Sequence, residues 1–129
     1  MELCNIKQID EEHERLLGMF SMLIANEPIY NDTKYQQEID QLLIVFKAHC
    51  VSEENIMRQY KYFDYADHVK THNDLIFLVE TALKAEAAAG NREQTVNVIY
   101  LLEKWVLDHI RIEVFLFKKL LKSQPFIKD

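Results

Sequence analysis

The sequence predicts an all-α protein, an antiparallel up-down-up-down four-helix bundle, and three observations carry that expectation. Only two glycines and two prolines occur in 129 residues, so few positions suit tight turns and the chain favours helix throughout. Four segments carry apolar residues at helical spacing, each bracketed by residues that start or stop a helix. The links between them are short, which makes successive helices antiparallel neighbours.

The first helix is expected over about residues 10–25, with Ile9, Leu16, Leu17, Phe20, Leu23 and Ile24 as its apolar face, and Pro28 cannot continue it. The second should run over about residues 33–60. There Thr33 caps the first turn, Gln36 reaches back as a capping box, and Ile39, Leu42, Leu43, Phe46 and Cys50 form the inner stripe. After the link Lys61-Tyr62-Phe63, Asp64 and Asp67 give a start to the third helix, which stops at Gly90. The fourth opens at Asn91 as its cap and runs to about Lys122, ahead of Ser123-Gln124-Pro125. Lys118, Lys119 and Lys122 lie where positive charge suits a helix C-terminus.

A chain of this length is expected to form one domain, residues 1–129, and it is long enough to bury a core. The net charge of -6 argues against nucleic acid, whose phosphates require a concentrated basic surface. Apolar runs such as residues 114–117 fall far short of the roughly 20 residues a membrane span needs, so no membrane partner is expected. Glu2, Lys7, Asp10, Glu11 and Glu12 interrupt any signal-like stretch, and a cytoplasmic location is the default. Cys4 and Cys50 are too few for a disulfide framework.

All five histidines fall inside expected helices: His13 on the first, His49 on the second, His68 and His72 on the third, His109 on the fourth. His68 and His72 are four apart, so their rings share a helix face, and His49 and Glu53 repeat that spacing. One such pair alone is equally well explained by two surface side chains. Contributions from every helix are harder to explain that way, because lysine or glutamate would serve solvent faces as well. Imidazoles with carboxylates suit a borderline ion such as iron or zinc rather than calcium or magnesium. Five imidazoles exceed what one tetrahedral zinc requires, and a bridging carboxylate makes two metals the economical reading.

The runs Ile9-Asp10-Glu11-Glu12-His13, His49-x-x-x-Glu53-Glu54-x-x-Met57, His68-x-x-x-His72 and Trp105-x-x-x-His109-Ile110 resemble the hemerythrin and bacteriohemerythrin signature over about residues 9–117. Myohemerythrin is one of the standard examples of an up-down bundle, so the resemblance implies the same fold. It also implies two iron ions, Fe2+ or Fe3+, joined by an oxo or hydroxo bridge. His68, His72 and His109 would hold one, His13 and His49 the other, and Glu53 would bridge them. Dioxygen, or another small diatomic ligand, would bind reversibly at the iron with fewer histidines, in a pocket that Leu16, Cys50, Trp105 and Ile110 would line.

Several positions depart from that signature. Its second bridging carboxylate, five residues after the last histidine, corresponds to Val114, which cannot ligate. Glu113 is the candidate substitute: it projects about 100° away around the helix, with a side chain one methylene longer than aspartate. Cys50 replaces an aromatic residue and reads as a small core residue. Arg111 stands at an aliphatic position and is expected to extend to solvent, because an unpaired buried charge costs several kcal/mol. The segment ahead of the first helix is short and lacks the aromatic-containing stretch that usually precedes it. Glu11, Glu12 and Glu54 read as solvated faces, and Tyr60, Tyr62 and Tyr65 as packing at one bundle end. The function implied is a reversible oxygen carrier, store or sensor. The alternatives are a di-iron enzyme acting on peroxide or nitric oxide, and a simple metal-binding bundle; the oligomeric state is left open.

Overall fold

A computed structural model describes residues 3–29, 31–88, 90 and 92–123. They form α1 (Lys7–Asn26), a 3-10 turn (Glu27–Ile29), α2 (Asp32–Gln59), α3 (Tyr65–Ala88) and α4 (Arg92–Ser123), with no strand among the described residues. α1 packs on α2 and α4, and α3 on the same two, so the four helices close into the expected antiparallel bundle.

α1 starts three residues earlier than its apolar pattern suggests. The Asp10 carboxylate accepts the backbone N–H groups of Cys4 and Asn5 at 2.8 and 3.1 Å, and Asp10 N–H reaches the Ile6 carbonyl. These bonds tie down the short leading segment, and Cys4 and Ile6 are buried. From there Ile9, His13, Leu16, Phe20 and Leu23 alternate by four and three residues and turn one continuous stripe inward.

The cap of α2 is Asn31 rather than Thr33. Its side-chain oxygen accepts Lys34 N–H at 2.7 Å, because the capping position lies one residue before the first helical φ,ψ pair, and that residue is Asp32. At the other end Lys61 adopts φ 52°. Its N–H bonds the Arg58 carbonyl, and Tyr62 N–H bonds that of Met57. This paired closure of a helix end throws Tyr62 back over the bundle.

Gly90 follows α3 with φ 71°, where a side chain would be strained. The expected Asn91 cap and the Gln124-Pro125 stop lie outside the described residues. Arg92, at the start of α4, pairs with Asp32 at 3.0 Å and lies 4.0 Å over the Tyr35 ring, fastening α4 to the beginning of α2.

The interior is apolar along its length, with Phe20, Phe117, Leu16, Leu42, Leu83 and Leu102 fully buried. Each such side chain contributes about 1.5–3 kcal/mol through burial. One layer breaks this pattern. Apart from Thr95, the buried polar side chains among the described residues are His13, His49, Glu53, His72 and Glu113, drawn from all four helices. No helix among the described residues is long and apolar enough to cross a membrane.

Candidate metal centre

That polar layer is built from one side chain per inward turn. His13 lies between Ile9 and Leu16 on the buried stripe of α1. His49 and Glu53 occupy successive turns of α2 between Phe46 and Met57. His68 and His72 project from α3, and His109 and Glu113 from α4, again one turn apart.

Glu53 is the meeting point. Its Oε2 lies 3.2 Å from His13 Nε2 and 3.1 Å from His49 Nε2, while its Oε1 lies 3.3 Å from His72 Nε2. Glu113 Oε1 is surrounded separately by His109 at 2.8 Å, His72 at 3.1 Å and His68 at 3.3 Å, each through Nε2. His72 and His109 face each other, Nε2 to Nε2, at 3.1 Å. All seven residues expected at the site are therefore brought together, Glu113 included.

Leu16, Cys50 and Ile110 are buried, each three residues from a member of the polar layer, while Trp105 is only partly buried against the core. Val114 is buried as an ordinary core residue. Arg111 extends to solvent and pairs with Asp108 at 3.2 Å, as expected. Tyr60 is buried at the bundle end, and Tyr62 sets its ring edge against His68 with centroids 5.7 Å apart.

Two carboxylates that read as solvated faces are not. Glu12 Oε1 accepts from His49 Nδ1 at 2.7 Å, and Glu54 Oε2 accepts from His72 Nδ1 at 2.8 Å. Glu12 is held in turn by Ser52 Oγ at 2.9 Å and Gln8 Nε2 at 3.1 Å. Each glutamate neighbours an inward residue, His13 or Glu53, and a step of about 100° turns it toward the adjoining helix rather than to water. Glu11 is exposed and pairs loosely with Lys7, as a solvated residue should.

The electrostatics follow from this packing. Burial alone would raise the Glu53 carboxyl, but His13 and His49 outweigh it and hold the group well below the usual carboxylate range. Burial and the neighbouring Glu53 charge likewise oppose ionisation of Glu113, yet His109, His68 and His72 bring it down to about 2. Burial would lower His49 and His72; Glu12 and Glu53 instead lift the former to about 9, and Glu113 and Glu53 lift the latter to about 10. Hydrogen bonding to Glu113 also raises His68. The Cys50 thiol is pushed up by burial and by Glu53 and Glu113, so it stays neutral.

The donor set fits a metal ion. Ligands at about 2.1 Å from one ion sit about 3 Å apart at right angles, which is the spacing seen here. Donor atoms of Glu53, His72, His109 and Glu113 lie within 4.8 Å of one another, as do those of His13, His49 and Glu53. Glu113 Oε2 is buried without a hydrogen-bond partner, and the close approaches of His49 Nε2 and Glu53 Oε1 lack hydrogen-bond geometry. Such groups cost about 1–3 kcal/mol each when unsatisfied, and a cation among them would use their lone pairs. The Nδ1 bonds to Glu12 and Glu54 fix the tautomers that present Nε2 inward, as outer partners of ligating histidines do.

Comparison with known proteins agrees with this chemistry. The hemerythrin HHE cation binding domain matches residues 4–121. A bacteriohemerythrin from Methylococcus capsulatus is 24% identical over 106 residues, covering 82% of this chain and 80% of that protein. No solved structure gives a significant match.

Proposed function

The chain belongs to the hemerythrin family, and from that premise we propose that it is a non-haem di-iron protein that binds dioxygen, or another small diatomic ligand, reversibly. The observation that carries this reading is the division of Glu53, one oxygen toward His13 and His49 and the other toward His72. A carboxylate shared in this way would hold two ions, the first with His13 and His49, and His68, His72, His109 and Glu113 would complete the second. We read residues 1–129 as one such domain.

When bound, the iron pair supplies the reversible change of oxidation state that oxygen uptake and release require. The remaining contributions come from the chain. Two histidines and one carboxylate with open positions suit non-haem ferrous iron, so the group of His13, His49 and Glu53 is where the small ligand would approach. Leu16, Cys50 and Ile110 present apolar surface beside that layer, which excludes water and slows irreversible oxidation. Glu12 and Glu54 hold the Nδ1 protons of His49 and His72 and keep both rings oriented.

One observation favours a second reading, an enzyme acting on peroxide or nitric oxide: Glu113 contacts histidines of only one group, which leaves the other more open. Anaerobic reconstitution with ferrous iron followed by an oxygen titration separates the readings. Reversible binding predicts a visible absorption band that appears on admitting oxygen and disappears under vacuum. Rapid, irreversible oxidation with steady turnover of peroxide would support the enzyme. Absence of any oxygen-dependent spectrum would leave a plain metal-binding bundle.

A further inference from the structure

The two groups that share Glu53 are unequal, and the inequality originates in one residue of register. Position 114, five residues beyond His109, is a buried valine. The carboxylate comes instead from Glu113, one turn beyond His109 and on its side of the helix. Its contacts at 3.3 Å or less go to His68, His72 and His109, and it is not among the residues that gather with His13 and His49. One group thus has His72, His109, Glu113 Oε1 and one oxygen of Glu53, with His68 joined to it through Glu113 at 3.3 Å. The other has two histidines and the remaining oxygen of Glu53.

Charge sharpens the contrast. A divalent cation beside Glu113 and Glu53 meets two carboxylates and is neutralised. A second cation beside His13 and His49 must share Glu53 with the first and also feels its repulsion. His13 and Glu53 are both fully buried, and an incompletely compensated charge is costly in such surroundings.

We propose that the centre loads in two distinct steps: a resident divalent cation enters the group of His68, His72, His109 and Glu113 first, and a second, more weakly held cation then enters the group of His13, His49 and Glu53. This inference rests on the metal-centre reading above and adds the order and inequality of the two ions. It makes Glu113 a terminal ligand of one ion rather than a bridge between two.

The test is a titration of the chelator-treated, full-length chain with Co(II) under anaerobic conditions, followed by visible absorption and calorimetry, with helical content checked by circular dichroism. Two events of one ion each are expected, separated by about tenfold or more in affinity. Glu113→Gln should weaken the first event by about tenfold or more, the scale on which a metal site responds to loss of a supporting group. His13→Ala, and independently His49→Ala, should remove the second event and leave the first intact, so the ordering is tested even if Glu113→Gln fails to fold. A single event taking up two ions, weakened alike by all three substitutions, would overturn the inference and leave the metal centre standing. Failure of the unmodified chain to bind any ion would overturn both.

Discussion

Glu113 Oε1 lies 2.8 Å from His109 Nε2, one turn away on the same helix, while its neighbour Val114 packs into the apolar core. The pair repeats on α4 the arrangement of His49 and Glu53 on α2, 3.1 Å apart at the same spacing. Two helices thus bring an imidazole and a carboxylate to the centre by the same device.

Glu113 and its neighbour should therefore respond differently to truncation. Glu113→Ala removes the buried carboxylate that contacts His68, His72 and His109 and leaves His72 with Glu53 and Glu54 alone; it should lower the stability of the metal-free chain by about 3 kcal/mol, with weaker metal binding as well. Val114→Ala removes two buried methyl groups, costs about 2 kcal/mol, and should leave metal affinity unchanged. Urea denaturation and metal titration of both variants check the contrast.

Acidity sets a further expectation for the metal-free chain. His49 and His72 are raised from 6.5 to about 9 and about 10. Their stabilisation is fully present below pH 6.5 and lost as the pH climbs through those raised values. Glu113 is lowered from 4.5 to about 2, so its contribution is present above pH 4.5 and lost as the pH falls through about 2. The metal-free chain should be most stable between about pH 4.5 and 6.5 and should melt progressively lower from 6.5 to about 10. Metal binding needs these imidazoles neutral, so the gain in melting temperature on adding metal should grow over the same alkaline interval. Thermal unfolding across pH, with and without metal, reads both trends.

Glu12→Gln and Glu54→Gln keep the size of each side chain but remove the charge beside His49 Nδ1 or His72 Nδ1. Each should reduce metal affinity about 10- to 100-fold with helical content unchanged. The same change at an exposed and only loosely paired position, Glu11→Gln, should have no such effect. Competition with a chelator of known affinity measures all three.

The bundle and most of its centre were legible in the sequence because both depend on spacing. The 3.6-residue period places Ile9, Leu16, Phe20 and Leu23 on one face whatever the neighbours are, and it stacks His68 over His72 in the same way. Glu113 was harder to place when measured from position 114, about 100° away; measured from His109 it lies only about 40° off the ligand face. What spacing does not encode is the rotation of one helix against the next. That rotation decides that Glu12 meets His49 and Glu54 meets His72 instead of water. Helix ends are set by individual side chains, and Asn31 rather than Thr33 is the cap because its oxygen reaches the Lys34 N–H three residues ahead.

The most direct measurement is the number of iron ions retained per folded chain after anaerobic loading and desalting, in the unmodified protein and in Glu53→Ala. Two ions are expected in the former, and loss of paired binding in the latter, since Glu53 contacts histidines of both groups. Well under two ions in the unmodified chain, or two retained without Glu53, would contradict a centre joined through that carboxylate.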